Sequence, residues 1–292
     1  VQFTYKLPAY QMKSGFWRED RAMKLNLFQV DAFAERPFEG NPAAVVPLDA
    51  WLSDEQMLAI AAENNLAETA FFVAEGEGYR LRWFTPTVEV DLCGHATLAT
   101  AHVILTRLAP DSDQVTFETR SGTLTVTRGG QGRLVMDFPA RLSKPMAEPR
   151  ELGAMLGVKP MMVLSGSNMI AVFDKAADVA RLAPAFEPLA RYLAPRNQVV
   201  IATALADEGS GFDFVTRVFG PAHGINEDHV TGSAYCDVAP FWARKLKKTD
   251  MVARQISQRG GTVRCRVDGE RVFLEGTCAD YLEGTIDIGL GS

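Results

Sequence analysis

Glu68, His95 and Asp228 are the side chains of this 292-residue chain whose type and setting best suit proton transfer. His95 follows Cys93-Gly94 and opens a long segment of small apolar residues that runs from Ala96 to about Leu105. That layout reads as a strand end, a tight turn and a buried helix. The amides of Gly94, His95 and Ala96 would lie at the helix start without intrahelical acceptors, which suits a carboxylate or another anion. The pattern returns further on. Asp228 precedes Thr231-Gly232-Ser233-Ala234 and a second long helix, whose first amides would belong to Gly232, Ser233 and Ala234. Two such helix starts turned toward one another would bind a small carboxylate between them.

Glu68 carries the most information. It stands at the head of an apolar run, Ala70-Phe71-Phe72-Val73, where desolvation would raise its pKa and fit it for proton transfer near neutral pH. A strand-edge glutamate facing water reads equally well. The corresponding stretch of the second half, 196–206, holds no acid, so the sequence suggests one general acid/base rather than a matched pair. His95 is either a catalytic group or a first-turn histidine satisfied by backbone. Asp228 fits a residue that stabilises the turn, a role compatible with a place in the site. Ser233 reads as a helix-start residue rather than a nucleophile, because no GxSxG elbow surrounds it.

Positioning these residues takes a duplicated framework. Phe84-Thr85-Pro86 precedes Gly94-His95-Ala96, and Phe219-Gly220-Pro221 precedes Gly232-Ser233-Ala234. Each helix is followed by a glycine hairpin turn, at Ser121-Gly122-Thr123 and Gly260-Gly261-Thr262, and then by a strand. The repeat implies two copies of one α+β unit, each wrapped on a central helix, with the site between them. The expected units are 23–140 and 141–292. Residues 1–22 read as an extension, non-native or an arm, with Met23 as the natural start.

Among the other elements, 53–64 reads as a helix opened by a Ser53/Gln56 capping box, with Met57, Ile60 and Ala61 facing inward. A linker is expected over 139–149 and a helix over 150–156, stopped by Gly157. The segment 178–193 reads as helix broken by Pro184 and Pro188. The closing strands are expected at 262–267, 271–275 and 283–288. Gly129-Gly130-Gln131-Gly132 lacks the strand-then-helix setting of a dinucleotide loop and reads as a hairpin turn.

Composition narrows the function. Apolar residues make up 47% and charged residues 23%, as in an ordinary globular chain, and the length allows two domains. A net charge of −6 without a dense basic cluster argues against nucleic-acid binding. No apolar run is long enough for a membrane helix. The four cysteines form no CxxC pair, which disfavours structural zinc, and their scarcity fits a reducing, cytoplasmic setting. Cys236, Cys265 and Cys278 read as small core residues.

The chain resembles the PhzF-like family of phenazine-biosynthesis proteins, within the diaminopimelate epimerase and proline racemase superfamily. The resemblance covers 23–292. It rests on Gln29-Val-Asp-Ala-Phe33 with Gly40-Asn-Pro42, on Asn65-Leu-Ala-Glu-Thr69, on Leu92-Cys-Gly-His-Ala-Thr97, and on Gly224-Ile-Asn-Glu-Asp-His-Val-Thr-Gly-Ser233. It implies the duplicated epimerase fold, commonly as a homodimer, with no metal or organic cofactor. Racemases of the superfamily use two cysteines. Cys93 matches the first position, but Thr231 occupies the second, and a hydroxyl is too weak an acid to replace a thiol. The family's own chemistry uses the glutamate matched by Glu68, which moves a proton between two carbons of a cyclic dihydro-hydroxyanthranilate. His95, Asp228 and Ser233 match residues that hold the substrate. His229 stands where the family usually has proline, which removes a fixed φ from the turn before the second helix. The expected protein is therefore an isomerase of a small carboxylate, with a Cys93-based racemase and a pure binding protein as alternatives.

Overall fold

The computed structural model describes residues 23–147, 149 and 151–289. The reading of 1–22 and the helix start at Arg150 lie outside them. The first half runs β1 (Met23–Ala32), β2 (Asn41–Leu48), α1 (Asp54–Asn64), β3 (Glu68–Glu75), β4 (Gly78–Phe84), β5 (Glu89–Val90), α2 (Gly94–Val103), β6 (Gln114–Thr119), β7 (Gly122–Arg128) and β8 (Leu134–Pro139). A short β9 (Lys144–Met146) and α3 (Leu152–Leu156) lead into the second half. There β10 (Met162–Ser165), β11 (Met169–Val172), α4 (Ala176–Ala180), α5 (Phe186–Leu193), β12 (Val200–Leu205), β13 (Phe214–Gly220) and β14 (Ile225–Asp228) precede α6 (Gly232–Leu246). The chain closes with β15 (Asp250–Gln255), β16 (Gly261–Asp268), β17 (Arg271–Gly276) and β18 (Cys278–Ile288).

Strand pairing bears out the duplication. β1 is antiparallel to β2, β2 parallel to β3, β3 antiparallel to β4, and β4 parallel to β6, with antiparallel β7 and β8 beyond. The same succession of steps runs from β10 through β11, β12, β13, β15 and β16 to β17. The halves join where β8 pairs antiparallel with β17, Met136 opposite Leu274. The same sequence offset separates Met136 from Leu274 and Gly94 from Gly232, so this residue pair lies on the pseudo-twofold axis. Each half also lends a strand to the other. β9 follows β8 yet pairs with β10, and β18 follows β17 yet pairs with β1, Met23 opposite Ile288. The strand expected at 283–288 is thus longer and borders the first half's sheet.

Each sheet wraps a central helix. Within α2 every residue but His102 is buried, so no polar face is needed and the segment reads as uniformly small and apolar. Each fully buried aliphatic side chain such as Leu98 contributes roughly 1.5–3 kcal/mol by leaving water. The helix continues as a π-helical turn, Ile104–Leu108, beyond the expected end near Leu105. α6 contains Pro240, which removes the amide that would bond the Cys236 carbonyl. The Arg141 amide, on the crossing between halves, supplies that bond at 2.9 Å.

Local signals held where the physics is local. α1 starts at a complete Ser53/Gln56 capping box and ends at Asn65 in the left-handed conformation (φ 49°). Ser53→Ala should therefore cost about 1 kcal/mol, read as a lower thermal midpoint. Gly157 ends α3 with φ 80°. Three expectations need correction. Pro188 does not break a helix, because it occupies the first turn of α5, where no intrahelical amide bond is required. The expected linker 139–149 contains β9. β14 and β15 were not foreseen, and in β15 the inward positions are Met251, Ala253 and the fully buried Gln255, a polar residue that disguises the alternation.

Candidate active site

Three strand and helix starts converge at the junction of the halves. Asn65 turns the chain out of α1, and Glu68 becomes the first residue of β3, opposite Ala43 of parallel β2. Asn41 heads β2, two residues before Ala43. His95 stands in the first turn of α2. The loops leading into the two helices are clamped alike. Arg82 makes paired bonds of 2.7 Å to both carboxylate oxygens of Glu89, and Arg217 binds Glu227 at 2.7 and 2.8 Å. Each guanidinium also covers a phenylalanine ring, Phe84 in one half and Phe219 in the other.

The helix starts abut rather than facing each other across open space. A side chain begun at Gly94 would lie 3.7 Å from the Gly232 Cα and from the Ser233 amide nitrogen. That is van der Waals distance, so the two helix starts pack directly on one another at these glycines. Neither helix has a side-chain cap: Cys93 makes none, and Thr231 gives its hydroxyl to Asp228 instead. The amides of Gly94, His95, Gly232 and Ser233 therefore lie in the first turns of two abutting helices that have no capping side chain. The Ala234 amide bonds the Thr231 carbonyl at 3.1 Å, which removes it from the expected set. The Ala96 amide works on the Cys93 sulfur. Ser233 itself is half-buried at the start of α6.

Glu68 Oε2 lies 3.1 Å from His95 Nε2, with side chains only 12% and 6% exposed. The contact is an ion pair not aligned as a hydrogen bond, and neither atom has another partner among the described residues. The other ring nitrogen, Nδ1, is 3.5 Å from Cys93 Sγ and 3.2 Å from Asn41 Nδ2. Burial works against the imidazolium, but the Cys93 sulfur and the Glu68 carboxylate outweigh it and hold His95 well above the ordinary imidazole value. Burial pushes the Cys93 thiol up to about 11, with the Glu68 charge adding to the effect. Near neutral pH the sulfur is thus a thiol, a poor base and a poor nucleophile.

The donor atoms of Glu68, Cys93 and His95 lie within 4.8 Å of one another, a spacing compatible with a metal ion. The imidazole, however, separates the carboxylate on its Nε2 side from the sulfur on its Nδ1 side. No single ring nitrogen serves both partners, so the cluster is arranged as a chain of proton-bearing groups rather than as a ligand cage.

Asp228 is not in contact with Glu68. Its Oδ1 accepts from Asn41 Nδ2 at 2.7 Å and its Oδ2 from Thr231 Oγ1 at 2.6 Å. Gln255 holds the same loop, donating to the Asp228 carbonyl at 2.8 Å and accepting from the Thr231 amide at 3.0 Å. His229 does not leave this turn loose, because Ser257 Oγ donates to its carbonyl at 2.6 Å. Asn41 and Gln255 were missed as site residues. Asn41 could have been found from its Gly-Asn-Pro setting, but Gln255 carries no local signal.

The duplication is broken at the acid. Thr69 pairs with Phe84 in the first half, and Val200 pairs with Phe219 in the second. If those phenylalanines are equivalent, Val199 occupies the place of Glu68.

Comparison with known proteins places this geometry. The profile of the phenazine biosynthesis-like protein family (PhzC-PhzF) matches residues 30–284. An uncharacterized isomerase of Pseudomonas aeruginosa is 51% identical over 266 residues, spanning 91% of this chain and 100% of the relative. The crystal structure of a PhzF-family phenazine biosynthesis protein from Enterococcus faecalis superposes with a TM-score of 0.86 at 41% identity, over 91% of this chain and 100% of that one. A hydroxyproline epimerase from Agrobacterium vitis shares the fold alone, at 11% identity and a TM-score of 0.55, over 91% of this chain and 93% of that one.

Proposed function

The chain belongs to the phenazine biosynthesis-like (PhzF) family of isomerase-type proteins, and from that membership we propose that it moves a proton within one small carboxylate-bearing molecule, using Glu68 as its single acid/base. The observation that carries this reading is the buried Glu68–His95 contact of 3.1 Å at the start of α2, unmatched in the second half. The substrate carboxylate rests on the amides of Gly94, His95, Gly232 and Ser233. The Glu68 carboxylate removes a proton from carbon, and the C–H electron pair passes into the conjugated system of the substrate. The carboxylic acid so formed returns the proton to a second carbon, so no electrons enter or leave. His95 stabilises the carboxylate between the two transfers, and Asp228 holds the loop that carries the second set of amides. The chemistry requires no cofactor. A cyclic dihydro-hydroxyanthranilate-like substrate, a homodimer and a cytoplasmic setting accompany the family resemblance and are proposed on that ground.

The rival two-base mechanism needs an acid on the opposite face, and Thr231, already donating to Asp228, is a poor candidate. A metabolite screen by thermal shift, followed by turnover of each hit in D2O, separates the two. A shielded single base keeps much of the substrate's own hydrogen in the product, whereas full solvent deuterium at the receiving carbon would count against it. Cys93→Ser should keep turnover within about tenfold of the parent, since the thiol takes no proton from carbon in this reading. A loss comparable to removal of a general base, roughly 10²–10⁴-fold, would favour the thiol mechanism.

A further inference from the structure

Asn41 is fully buried, and its amide nitrogen meets three groups from two segments. It lies 2.7 Å from Asp228 Oδ1 and 3.0 Å from the Val230 carbonyl, both in the loop before α6, and 3.2 Å from His95 Nδ1 in α2. Two oxygen acceptors on one nitrogen fix which end of the amide is nitrogen. Its two N–H groups serve those oxygens, and the amide nitrogen itself offers no lone pair to a proton on His95 Nδ1, 3.2 Å away.

We propose that Asn41 is a positioning residue that disfavours a proton on His95 Nδ1, keeps the neutral ring's proton on Nε2 facing Glu68, and thereby ties the state of the acid/base pair to the seating of the second half's loop. Seating that loop brings Asp228 and Val230 to Asn41, which fixes an amide nitrogen that accepts no proton 3.2 Å from Nδ1. The other charged or titratable groups facing the ring are Glu68 on β3, Cys93 on its own turn, and His229, whose pKa burial lowers although Asp228 opposes this. Of these, the Cys93 thiol, 3.5 Å from Nδ1, can donate to it, and so acts on the tautomer in the same direction as the amide. The inference deepens the reading of the Glu68–His95 pair, but its test needs no substrate and stands or falls separately from turnover.

The chain has four histidines, so ¹⁵N-histidine labelling yields four ring spin systems that single substitutions can assign. In the parent the neutral His95 ring should show Nε2 protonated and Nδ1 free. Asn41→Ala should raise the His95 titration midpoint by roughly 0.5–1 pH unit, because the amide that opposes a proton on Nδ1 is lost, and should populate the other tautomer. Gln255→Ala loosens the same loop but leaves the Asn41 amide in place, and should move the His95 tautomer less than Asn41→Ala does. If Asn41→Ala does not fold, the exchange N41D/D228N answers the question, because it restores a bond between the two residues while placing an acceptor beside Nδ1. That exchange should draw the proton onto Nδ1. A parent-like His95 in Asn41→Ala or in the exchange, or an equal change in Gln255→Ala, would overturn the proposal and leave Asn41 a structural bridge only.

Discussion

Glu68→Gln should lower turnover by about 10²–10⁴-fold while leaving the fold and the anion site in place. Glutamine keeps the shape of the side chain at the head of β3, so strand pairing with Ala43 is undisturbed. It removes the carboxylate oxygen in contact with His95 Nε2. In the proposed mechanism the substrate carboxylate is held elsewhere, by the amides of the two helix starts, so a hit found by thermal shift should still stabilise the variant. Turnover and thermal shift measured on the same two proteins check both statements. A variant with parent activity would sink the single-base mechanism. Loss of both readouts would instead point to a binding role for Glu68, which the geometry does not favour.

Gly40→Ala should have the largest effect on stability. Gly40 has φ +65°, which costs an alanine about 1 kcal/mol or more. A methyl group there would come within 2.1 Å of the Ala32 carbonyl oxygen and 2.9 Å of the Ala34 Cβ. The clash is with backbone, so no rotamer relieves it and β1 or the β1–β2 turn must move. Strain and overpacking together should cost roughly 3 kcal/mol, and for a chain of this size a thermal midpoint lower by roughly 6–12 °C. The effect would not stay local. The Gly40 amide bonds the Gly260 carbonyl at 2.6 Å, its carbonyl accepts from Arg259 at 3.0 Å, and Arg259 pairs with buried Asp31 at 2.7 Å. Asn41 is the next residue, so displacement of this turn also disturbs the contacts to His95 and Asp228. Thermal unfolding checks the first claim, and the His95 ring resonances check the second. An unchanged midpoint would show that the turn has slack that the structure does not display.

Much of this protein can be read from its sequence because the relevant physics is short-ranged. The Ser53/Gln56 capping box, the αL stop at Gly157 and the almost wholly buried α2 follow from groups within a few residues of one another. The duplication is legible because the motif around Gly94 returns around Gly232. Glu68 stands out because its run lacks a counterpart, and Thr231 because it replaces a thiol. Tertiary structure decided what depends on distant partners. Asn41 reaches Asp228 across 187 residues, and no local pattern predicts that bond. Gln255 is a buried amide whose acceptor and donor both lie on another loop, so it reads from sequence as a flaw in a strand. The exchange of β9 and β18 and the pairing of β8 with β17 arise from satisfying strand edges between halves, which propensity and periodicity do not encode. The sequence by itself therefore determined the repeated unit and marked Glu68 as an acid without a counterpart in the second half. The tertiary structure decided that the helix starts touch and that His95 sits between Glu68 and Asn41, because those contacts exist only when both halves are packed.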